Sequence, residues 1–430
     1  MRGERTTSRA TIGVVLALAW TGAMPLAAQE SPSDLASLFD LGALVADTNG
    51  DAVADFVNAG LVLGADPTVS ELAAAAEISA RLGFETMALD LPLVRGTEAP
   101  VPVVVGRGGL AVAGVPPSGI DPTSLDAGEG VVATVTVEGR PWVFVLGGDD
   151  DGLLAGARLF AGVLPHTRTL STPSLGEVRT DFEAVFDSAG VTDATVRVTQ
   201  ARGRTGDDGI HRLVIVVDAE DPDAVAEALE PFTTDDGPTT DEGSPADPMR
   251  HPGLRSTEVR IADGSVLRLP GRAAPDRPGP VSGRPGSGGK DDLDLSTLYT
   301  ADGLLGGSPI PDRVDAIVVP GGAGVGTLPE LAARLGLEST GLTVPLVHPA
   351  SAVDRPSSRP TMVLAGAGNP LTAELADSGR IDLAALAPGE GLIEVVPDAF
   401  GSKSALVVTG AAAAGADGAP ARVPLHCPTP

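Results

Sequence analysis

An internal repeat constrains this chain more than any other feature, because six sequence blocks recur in the same order. DFVNAGLVL, residues 55–63, matches DRVDAIVVP, residues 312–320. ELAAAAEISARLGFET matches ELAARLGLEST, and the interval from the glycine of this block to the next Pro-Leu-Val is the same in both places. VPVVVGRGG matches TMVLAGAGN, AGEGVV matches PGEGLI, and WVFVLGGDDDG matches ALVVTGAAAAG. Chance seldom preserves both order and spacing, so the sequence predicts two copies of one folding unit.

Each copy alternates strand and helix patterns, which predicts an α/β fold with parallel or mixed sheets covered by helices. DFVNAGLVL, ETMALDLPLV and VPVVVG are short apolar runs typical of buried strands. TVSELAAAAEISARLG has a helix-forming composition, with Thr68 or Ser70 as its cap and Gly83 as its stop. VVATVTVEGRPWVFVLGG predicts a hairpin that turns at Glu138-Gly139, and DDGLLAGARLFAGVL predicts a helix.

The repeat places two small α/β domains at residues 34–170 and 293–430. Between them, residues 175–233 predict either a small α+β module or an extension of the first sheet. Residues 234–292 are rich in Pro, Gly, Asp and Ser, a composition typical of a linker, with one strand expected at STEVRIADGSVLRL. The second copy decays into AAAAGADGAPARVPLHCPTP, which predicts a truncated or frame-altered end of a longer protein.

Residues 1–29 have the pattern of a secretory signal peptide. Arg2, Arg5 and Arg9 precede the apolar stretch TIGVVLALAWTGAM, and small residues offer cleavage near Ala28. The stretch is too short for a comfortable membrane span, and an uncleaved N-terminal anchor is the alternative. The mature protein is therefore expected in the periplasm or outside the cell, with no membrane span after signal cleavage.

Composition argues against several classes of function. The formal charge of −28 disfavours binding to nucleic acid or to anionic membranes. Aromatic residues make up only 3% of the chain, which argues against stacking platforms for sugars or bases. Cys427 is the only cysteine, so neither an intramolecular disulfide nor a thiolate metal cluster can form. The charge suits cations or a basic partner, and plain solubility is the alternative.

The acidic segment DTNGDAVADFVN has the ligand spacing of a twelve-residue calcium loop. Its candidate ligands, at alternate and terminal positions of the loop, are Asp47, Asn49, Asp51, Asp55 and Asn58. Ala52 replaces the usual glycine at the sixth position, and Asn58 cannot chelate through two carboxylate oxygens. The segment resembles the loops of dockerin-like secreted calcium modules, which implies a bound calcium ion. The alternative is an acidic turn, since the second copy keeps only Asp312 and Asp315.

Two further segments carry glycine or acidic clusters. PGGAGVGTLPE places Gly322, Gly324 and Gly326 between a strand and a helix, one residue short of the dinucleotide fingerprint, and a surface turn is the alternative. GGDDDG, residues 147–152, predicts either a cation site or a solvated acidic turn that begins a helix. The five histidines are scattered and no G-x-S-x-G elbow occurs, so no catalytic residue is assigned.

The stretch from VPVVVG through GEGVVATVTVEGRPWVFVLGGDDDGLLAGARLFAGVLP is similar to the noncatalytic α/β domain that precedes the catalytic barrel in several secreted glycoside hydrolases. Gly106, Gly128–Gly130, Gly147 and Gly152–Leu164 carry this resemblance. It implies an α/β fold and an accessory role, and it carries over no catalytic residue.

The sequence therefore predicts a secreted, noncatalytic α/β repeat protein, or the N-terminal accessory region of a larger exported protein. Its expected role is to bind or position an envelope polymer or another protein. Two alternatives stay open. One is a secreted hydrolase that acts on envelope glycans or peptides with its site between the two copies, and the other is a calcium-stabilised surface protein.

Overall fold

The computed structural model describes residues 34–87, 94–115, 120–168, 170–234, 247–272, 293–307, 310–322, 327–353, 361–366, 368–401 and 404–410. The predicted signal peptide, most of the predicted linker and the decayed end of the second copy lie outside these ranges. Within them, no helix is both long and apolar enough to cross a membrane.

Helices and strands alternate along the chain, which confirms the α/β class. The helices are α1 (Val69–Phe84), α2 (Gly106–Ala113), α3 (Asp150–Arg158), α4 (Leu175–Ala189), α5 (Pro222–Leu229), α6 (Leu328–Leu337) and α7 (Pro370–Asp377). The strands are β1 (Val45–Ala46), β2 (Phe56–Val57), β3 (Ala59–Val62), β4 (Val94–Arg95), β5 (Val101–Val105), β6 (Glu129–Val137), β7 (Arg140–Gly147), β8 (Thr195–Arg204), β9 (Arg212–Asp218), β10 (Ser256–Ile261), β11 (Val266–Pro270), β12 (Leu305–Gly306), β13 (Arg313–Val314), β14 (Ala316–Pro320), β15 (Thr361–Ala365), β16 (Gly391–Val396) and β17 (Ala405–Gly410).

The larger sheet has nine strands in the order β11-β10-β9-β8-β6-β7-β5-β3-β4. Strands β4, β3, β5 and β7 are parallel, whereas β6 pairs antiparallel with both β7 and β8. Because β8 and β9 belong to residues 175–233, this segment extends the first sheet, the second of the two arrangements that the sequence allows. The strand expected within the linker region is a hairpin, β10–β11, and β10 pairs parallel with β9.

A second sheet has four strands in the order β14-β15-β17-β16, and β1-β2 and β12-β13 form two-stranded sheets. Strands β14, β15 and β17 are parallel, and β16 is antiparallel to β17. The strands β3-β5-β7-β6 of the larger sheet have the same order and the same relative directions. We call β3–β7 with α1–α3 the first unit, and β14–β17 with α6 and α7 the second unit.

The β6–β7 hairpin turns where the sequence predicts it. Glu138 and Gly139 have φ values of +51° and +77°. Two successive residues with positive φ are what a two-residue hairpin turn requires, because this backbone twist matches the twist of the flanking strands. Glycine adopts such a conformation without steric cost, whereas Glu138 is held in it by the strands on either side.

Helix α1 begins at the predicted cap. The Thr68 hydroxyl accepts a hydrogen bond from the Glu71 amide at 3.1 Å, and the Glu71 carboxylate accepts one from the Thr68 amide at 3.0 Å. This reciprocal pair satisfies two amides that the first helical turn leaves unpaired. Gly83 does not stop the helix, which continues to Phe84 and is capped by Glu85. The role of Gly83 is instead one of packing.

Helices α1 and α6 pack against each other through glycine. A Cβ atom on Gly83 would lie 2.0 Å from the carbonyl oxygen of Ala333, and a Cβ atom on Gly336 would lie 2.0 Å from that of Ala80. Only a residue without a side chain allows backbones to approach this closely. One hydrophobic core, which includes Leu72 of α1 and residues of α6, therefore runs through both units.

We expect the substitutions Gly83→Ala and Gly336→Ala each to lower the free energy of unfolding by about 1–3 kcal/mol, since the added methyl group would have to push the helices apart. Urea unfolding followed by circular dichroism measures this change. Gly176→Ala in α4 is the matched control, because the nearest atom to its Cβ is the Ser174 hydroxyl at 3.5 Å. An equal loss of stability in the control would contradict the packing role.

Candidate functional site

The predicted calcium loop is closed by its own hydrogen bonds. The Asp47 carboxylate accepts hydrogen bonds from the amides of Asn49 at 3.1 Å, Gly50 at 2.6 Å and Ala52 at 2.7 Å. The Asn49 side chain likewise accepts from the Asp51 amide at 3.0 Å. The Gly50 amide, followed by those of Ala52 and Asn49, holds the pKa of Asp47 below its usual value. The loop therefore keeps Asp47 ionised.

The remaining three predicted ligands make contacts of their own. The Asp51 carboxylate accepts a hydrogen bond from the Val53 amide at 2.9 Å. Asp55 accepts hydrogen bonds from the amide of Thr48 at 2.8 Å and from its hydroxyl at 2.9 Å. The Asn58 side-chain nitrogen donates to the Ala43 carbonyl at 3.2 Å. Within the described part of the chain, no group of three or more His, Cys, Asp or Glu side chains is arranged to hold a metal ion. Calcium binding at this loop stays a prediction.

The structure describes the acidic segment GGDDDG in full and the glycine-rich turn only in part. In GGDDDG, the Asp149 carboxylate accepts from the amides of Gly152 at 2.8 Å and Gly128 at 3.0 Å, and it caps α3. These two amides lower the pKa of Asp149, the first more than the second. Of the glycine-rich turn, Gly322 is described, whereas Gly324 and Gly326 lie outside the described residues.

A carboxylate that the sequence did not single out lies where the two units meet. Glu77, in the middle of α1, has no exposed surface. Its carboxylate accepts hydrogen bonds from the backbone amides of Val347 at 2.9 Å and Leu346 at 3.2 Å. Both amides belong to the second unit, in the segment between α6 and β15. Two donors satisfy a carboxylate that would otherwise be buried without partners.

Arg158 and His348 complete this cluster. The Arg158 guanidinium, at the end of α3, donates through Nη2 to the Val347 carbonyl at 3.2 Å, and its Nε lies 4.0 Å from Glu77 Oε1. His348 follows Val347, and its Nε2 lies 3.2 Å from the Pro345 carbonyl oxygen. Two residues of the first unit therefore bind Val347: Glu77 accepts its amide and Arg158 donates to its carbonyl.

Burial sets the electrostatics of the cluster. Loss of water raises the pKa of Glu77 from 4.5 to about 7, against the lowering effects of the two amides and of Arg158. Burial also lowers the pKa of His348, and Arg158 lowers it further against the opposing effect of the Pro345 carbonyl. A carboxyl group with such a pKa suits proton transfer near neutral pH. Without exposed surface, however, Glu77 is out of reach of a substrate, and its contacts hold the two units together.

An ion pair also joins the units, this time from α6 to the first unit. Glu330 lies six residues before Gly336, as Glu77 lies six residues before Gly83. Its carboxylate contacts Arg95 of the first unit at 2.8 Å, and both side chains are partly exposed. Arg95 and His348 each follow the sequence Pro-Leu-Val. Helix α1 therefore contacts the Pro-Leu-Val segment of the second unit, and α6 contacts the residue that follows Pro-Leu-Val in the first unit.

The sequence does carry a signal for this cluster. Glu77 and Glu330 are acidic residues at the same position of the repeated block, each within a helix that is otherwise rich in alanine and leucine. A charge that recurs on an apolar helix indicates a specific partner, because an unpaired charge is costly to bury. The partner itself cannot be identified from one sequence, since 269 residues separate Glu77 from Leu346.

Comparison with known proteins adds no family to these observations. No protein-family model and no curated protein matches this chain. The function is therefore inferred from the geometry of the described residues.

The raised pKa of Glu77 makes the stability of the protein depend on pH. The native state binds this proton with a pKa of about 7 and the unfolded state with one near 4.5, so the native state holds more protons between these values. The contribution of Glu77 to the free energy of unfolding is therefore expected to fall as the pH rises from 4.5 to above 7, by on the order of 3 kcal/mol.

Urea unfolding of wild type and Glu77→Gln across this range measures the effect as the difference between the two curves. The wild type should lose stability relative to Glu77→Gln as the pH rises. Glu330→Gln, at the matching position, is the control, and its curve should stay parallel to that of the wild type because partly exposed ion pairs contribute little. Parallel curves for Glu77→Gln and wild type would contradict the pKa shift.

Proposed function

We propose that this chain is a noncatalytic α/β protein that binds or positions a partner outside the cytoplasm, and that its two units are copies of one ancestral unit. The observation that supports the noncatalytic role is the burial and hydrogen bonding of Glu77. Among the described residues it is the carboxyl group whose pKa is raised to about 7, yet it has no exposed surface and both of its oxygens accept backbone amides. A group used in this way fixes the two units relative to each other and leaves no access for a substrate.

Corresponding local contacts support the duplication. Asp34 caps the short 3-10 turn Leu35–Ser37, and Asp294 caps the turn Leu295–Thr297 in the same way. The sequences DLASLF and DLSTLY contain these turns and form a further repeated block. Asp121 and Asp382 cap a second pair of 3-10 turns, which precede β6 and β16 respectively. Matching caps in matching order are expected of two copies.

Matching side-chain stacks lie on α1 and α6. The Arg81 guanidinium lies 4.3 Å from the ring centroid of Phe39, and that of Arg334 lies 5.5 Å from the ring centroid of Tyr299. Each arginine also pairs with a glutamate four residues later in the chain. An arginine that stacks on a ring while it pairs with a carboxylate is a specific arrangement. Its presence in both units supports a common origin.

An accessory role fits the resemblance to the noncatalytic domain of secreted glycoside hydrolases. The resembling stretch contains β5, the β6–β7 hairpin and α3, and an α/β fold is what the resemblance implies for it. The signal-like N-terminus places the protein in the periplasm or outside the cell in this proposal. An envelope polymer or an exported protein is the corresponding partner.

The noncatalytic role predicts that the purified chain turns over no substrate. A panel of envelope glycans and peptides, incubated with wild type and analysed by mass spectrometry, measures this. Turnover of any substrate by the wild type would contradict the noncatalytic role, and Glu77→Gln and His348→Ala are included to test whether such turnover depends on the junction of the units. Turnover by the wild type that disappears in these variants would establish the hydrolase instead.

A calcium-stabilised protein is the second candidate, and the course of the Asp47 loop favours it. Ala52, at the sixth position, has a φ of +65°, so the backbone makes the sharp turn for which calcium loops use glycine. Asp47, Asn49 and Asp51 alternate along this loop and would supply oxygen ligands, whereas the Asn58 side chain is directed to Ala43. The first three residues therefore have the oxygen ligands that calcium takes, although their side chains accept backbone amides and, among the described residues, form no group arranged to hold a metal ion.

Calcium binding predicts a higher melting temperature in calcium than in chelator, because a ligand that binds only the folded state stabilises it by about 3 kcal/mol at about a hundredfold excess over its Kd. Asp47→Ala and Asp51→Ala should abolish the difference. Asp263→Ala is the matched control, since Asp263 also accepts a backbone amide within a turn, that of Ser265 at 2.8 Å. Equal melting in calcium and chelator for the wild type would reject this candidate.

A further inference from the structure

The outer edge of β16 offers backbone groups to a partner. Strand β16 lies at the end of the four-stranded sheet and pairs on one side with β17. Among the residues that the structure describes, no strand pairs with its other side. A strand edge of this kind is a template for the addition of another strand.

The direction of these backbone groups follows from the hydrogen bonds of β17. The Val408 carbonyl accepts a hydrogen bond from the Gly366 amide at 2.8 Å, so the polar backbone groups of Val408 face β15. Ile393 lies directly opposite Val408 in the antiparallel pair. In such a pair, both residues direct their amide and carbonyl groups away from each other. The amide and carbonyl of Ile393 therefore point outward from the sheet.

The corresponding edge of the first unit is occupied. Strand β6 pairs antiparallel with β7 on one side, with Gly130 opposite Gly147, and β16 pairs with β17 in the same register, with Gly391 opposite Gly410. On its other side, β6 pairs antiparallel with β8. Strand β8 thus shows what kind of segment this edge accepts, and it is basic, with the sequence TVRVTQARGR.

The charge contact on β6 is specific. Glu129 directs one carboxylate oxygen to the Asp126 amide at 3.1 Å, and its other oxygen lies 3.3 Å from Arg202 of β8. Glu390, at the matching position before β16, accepts the Ala387 amide at 2.8 Å through one oxygen in the same way. Glu390 is exposed. Its second oxygen is therefore available to a basic group from outside.

We propose that β16 binds an extended basic segment of a partner protein as an added antiparallel strand, with an arginine or lysine of that segment on Glu390. Glu394, also on β16, adds a second acidic side chain to this edge. A second copy of this chain is disfavoured as the occupant, because two chains of formal charge −28 repel each other. The inference names a partner class for the proposed binding role and rests on that role.

The probe for this site is the chain's own occupant of the matching edge, a synthetic capped peptide of residues 195–204. Titration of this peptide into the full chain, followed by calorimetry, should show saturable one-to-one binding that weakens with salt. Hydrogen exchange should slow at the amides of β16, above all at Ile393, because these amides would enter a ladder. A peptide with the substitutions R202E and R204E should bind about tenfold more weakly, as expected when a charge-assisted pair is lost.

Variants of the full chain distinguish binding at the edge of β16 from nonspecific attraction between a basic peptide and an acidic protein. Glu390→Lys and Glu394→Lys should each weaken binding. The variant Glu394→Lys keeps the hydrogen bond from the Ala387 amide to Glu390, so it tests the edge even if the loss of this bond in Glu390→Lys unfolds the turn. Asp377→Lys, an exposed acidic position on α7, carries the same charge change and should bind the peptide as the wild type does.

Three outcomes would overturn the proposal. The first is equal weakening in all three variants, and the second is binding without slower exchange at β16. The third is an edge already occupied in the free chain, seen as slow exchange at Ile393 without peptide or as a dimer in sedimentation that Glu390→Lys dissolves. These outcomes are independent of the substrate panel, because turnover there would reject the noncatalytic role and leave the peptide result unchanged.

Discussion

The close approach of α1 and α6 is the contact on which the rest of this structure depends. Gly83 and Gly336 let each helix backbone touch a carbonyl of the other, at distances where any side chain would clash. This approach brings the segment that contains Leu346 and Val347 onto α1. Glu77 loses its water as a result, and its hydrogen bonds then depend on that same segment. Packing thus comes first in the causal order, and the shifted pKa follows from it.

Two glutamates at matching positions show how burial rather than residue type decides what a carboxylate does. Glu77 is enclosed and bonds to backbone amides, whereas Glu330 is partly exposed and pairs with the Arg95 side chain. An exposed pair of this kind contributes little to stability, because water screens it. A buried carboxylate without its amides would be costly, so the segment at Leu346 cannot move away from α1 without penalty. This segment therefore holds the two units together, and the raised pKa of Glu77 predicts that its contribution to stability falls as the pH rises.

Local chemistry explains which parts of this fold the sequence predicts. Thr68 caps α1 and Glu138-Gly139 turns the β6–β7 hairpin because these features depend on neighbouring residues only. Local sequence predicts a helix stop at Gly83, because the contact that explains this glycine, the Ala333 carbonyl, belongs to a distant part of the chain. The partners of Glu77 are equally distant, so local sequence does not identify them. The Asp47 loop is intermediate, since its hydrogen bonds are local and predictable, whereas occupancy by calcium depends on ligands that sequence spacing does not position.

The two units differ at the outer edges of β6 and β16, and this difference connects the duplication that we propose with the binding role that we propose. In the first unit, β8 pairs with β6 and joins it to the three strands beyond, β9, β10 and β11, so the outer edge of β6 is already paired within the fold. In the second unit, the corresponding strand β16 keeps the same register to its neighbour and the same acidic residue before it. If the second unit is a copy of the first, it retains the geometry with which β6 accepts a strand, whereas no described strand covers β16. The exposed edge of β16 is thus a consequence of the duplication that we propose, and a partner strand would restore the pairing that β6 already has.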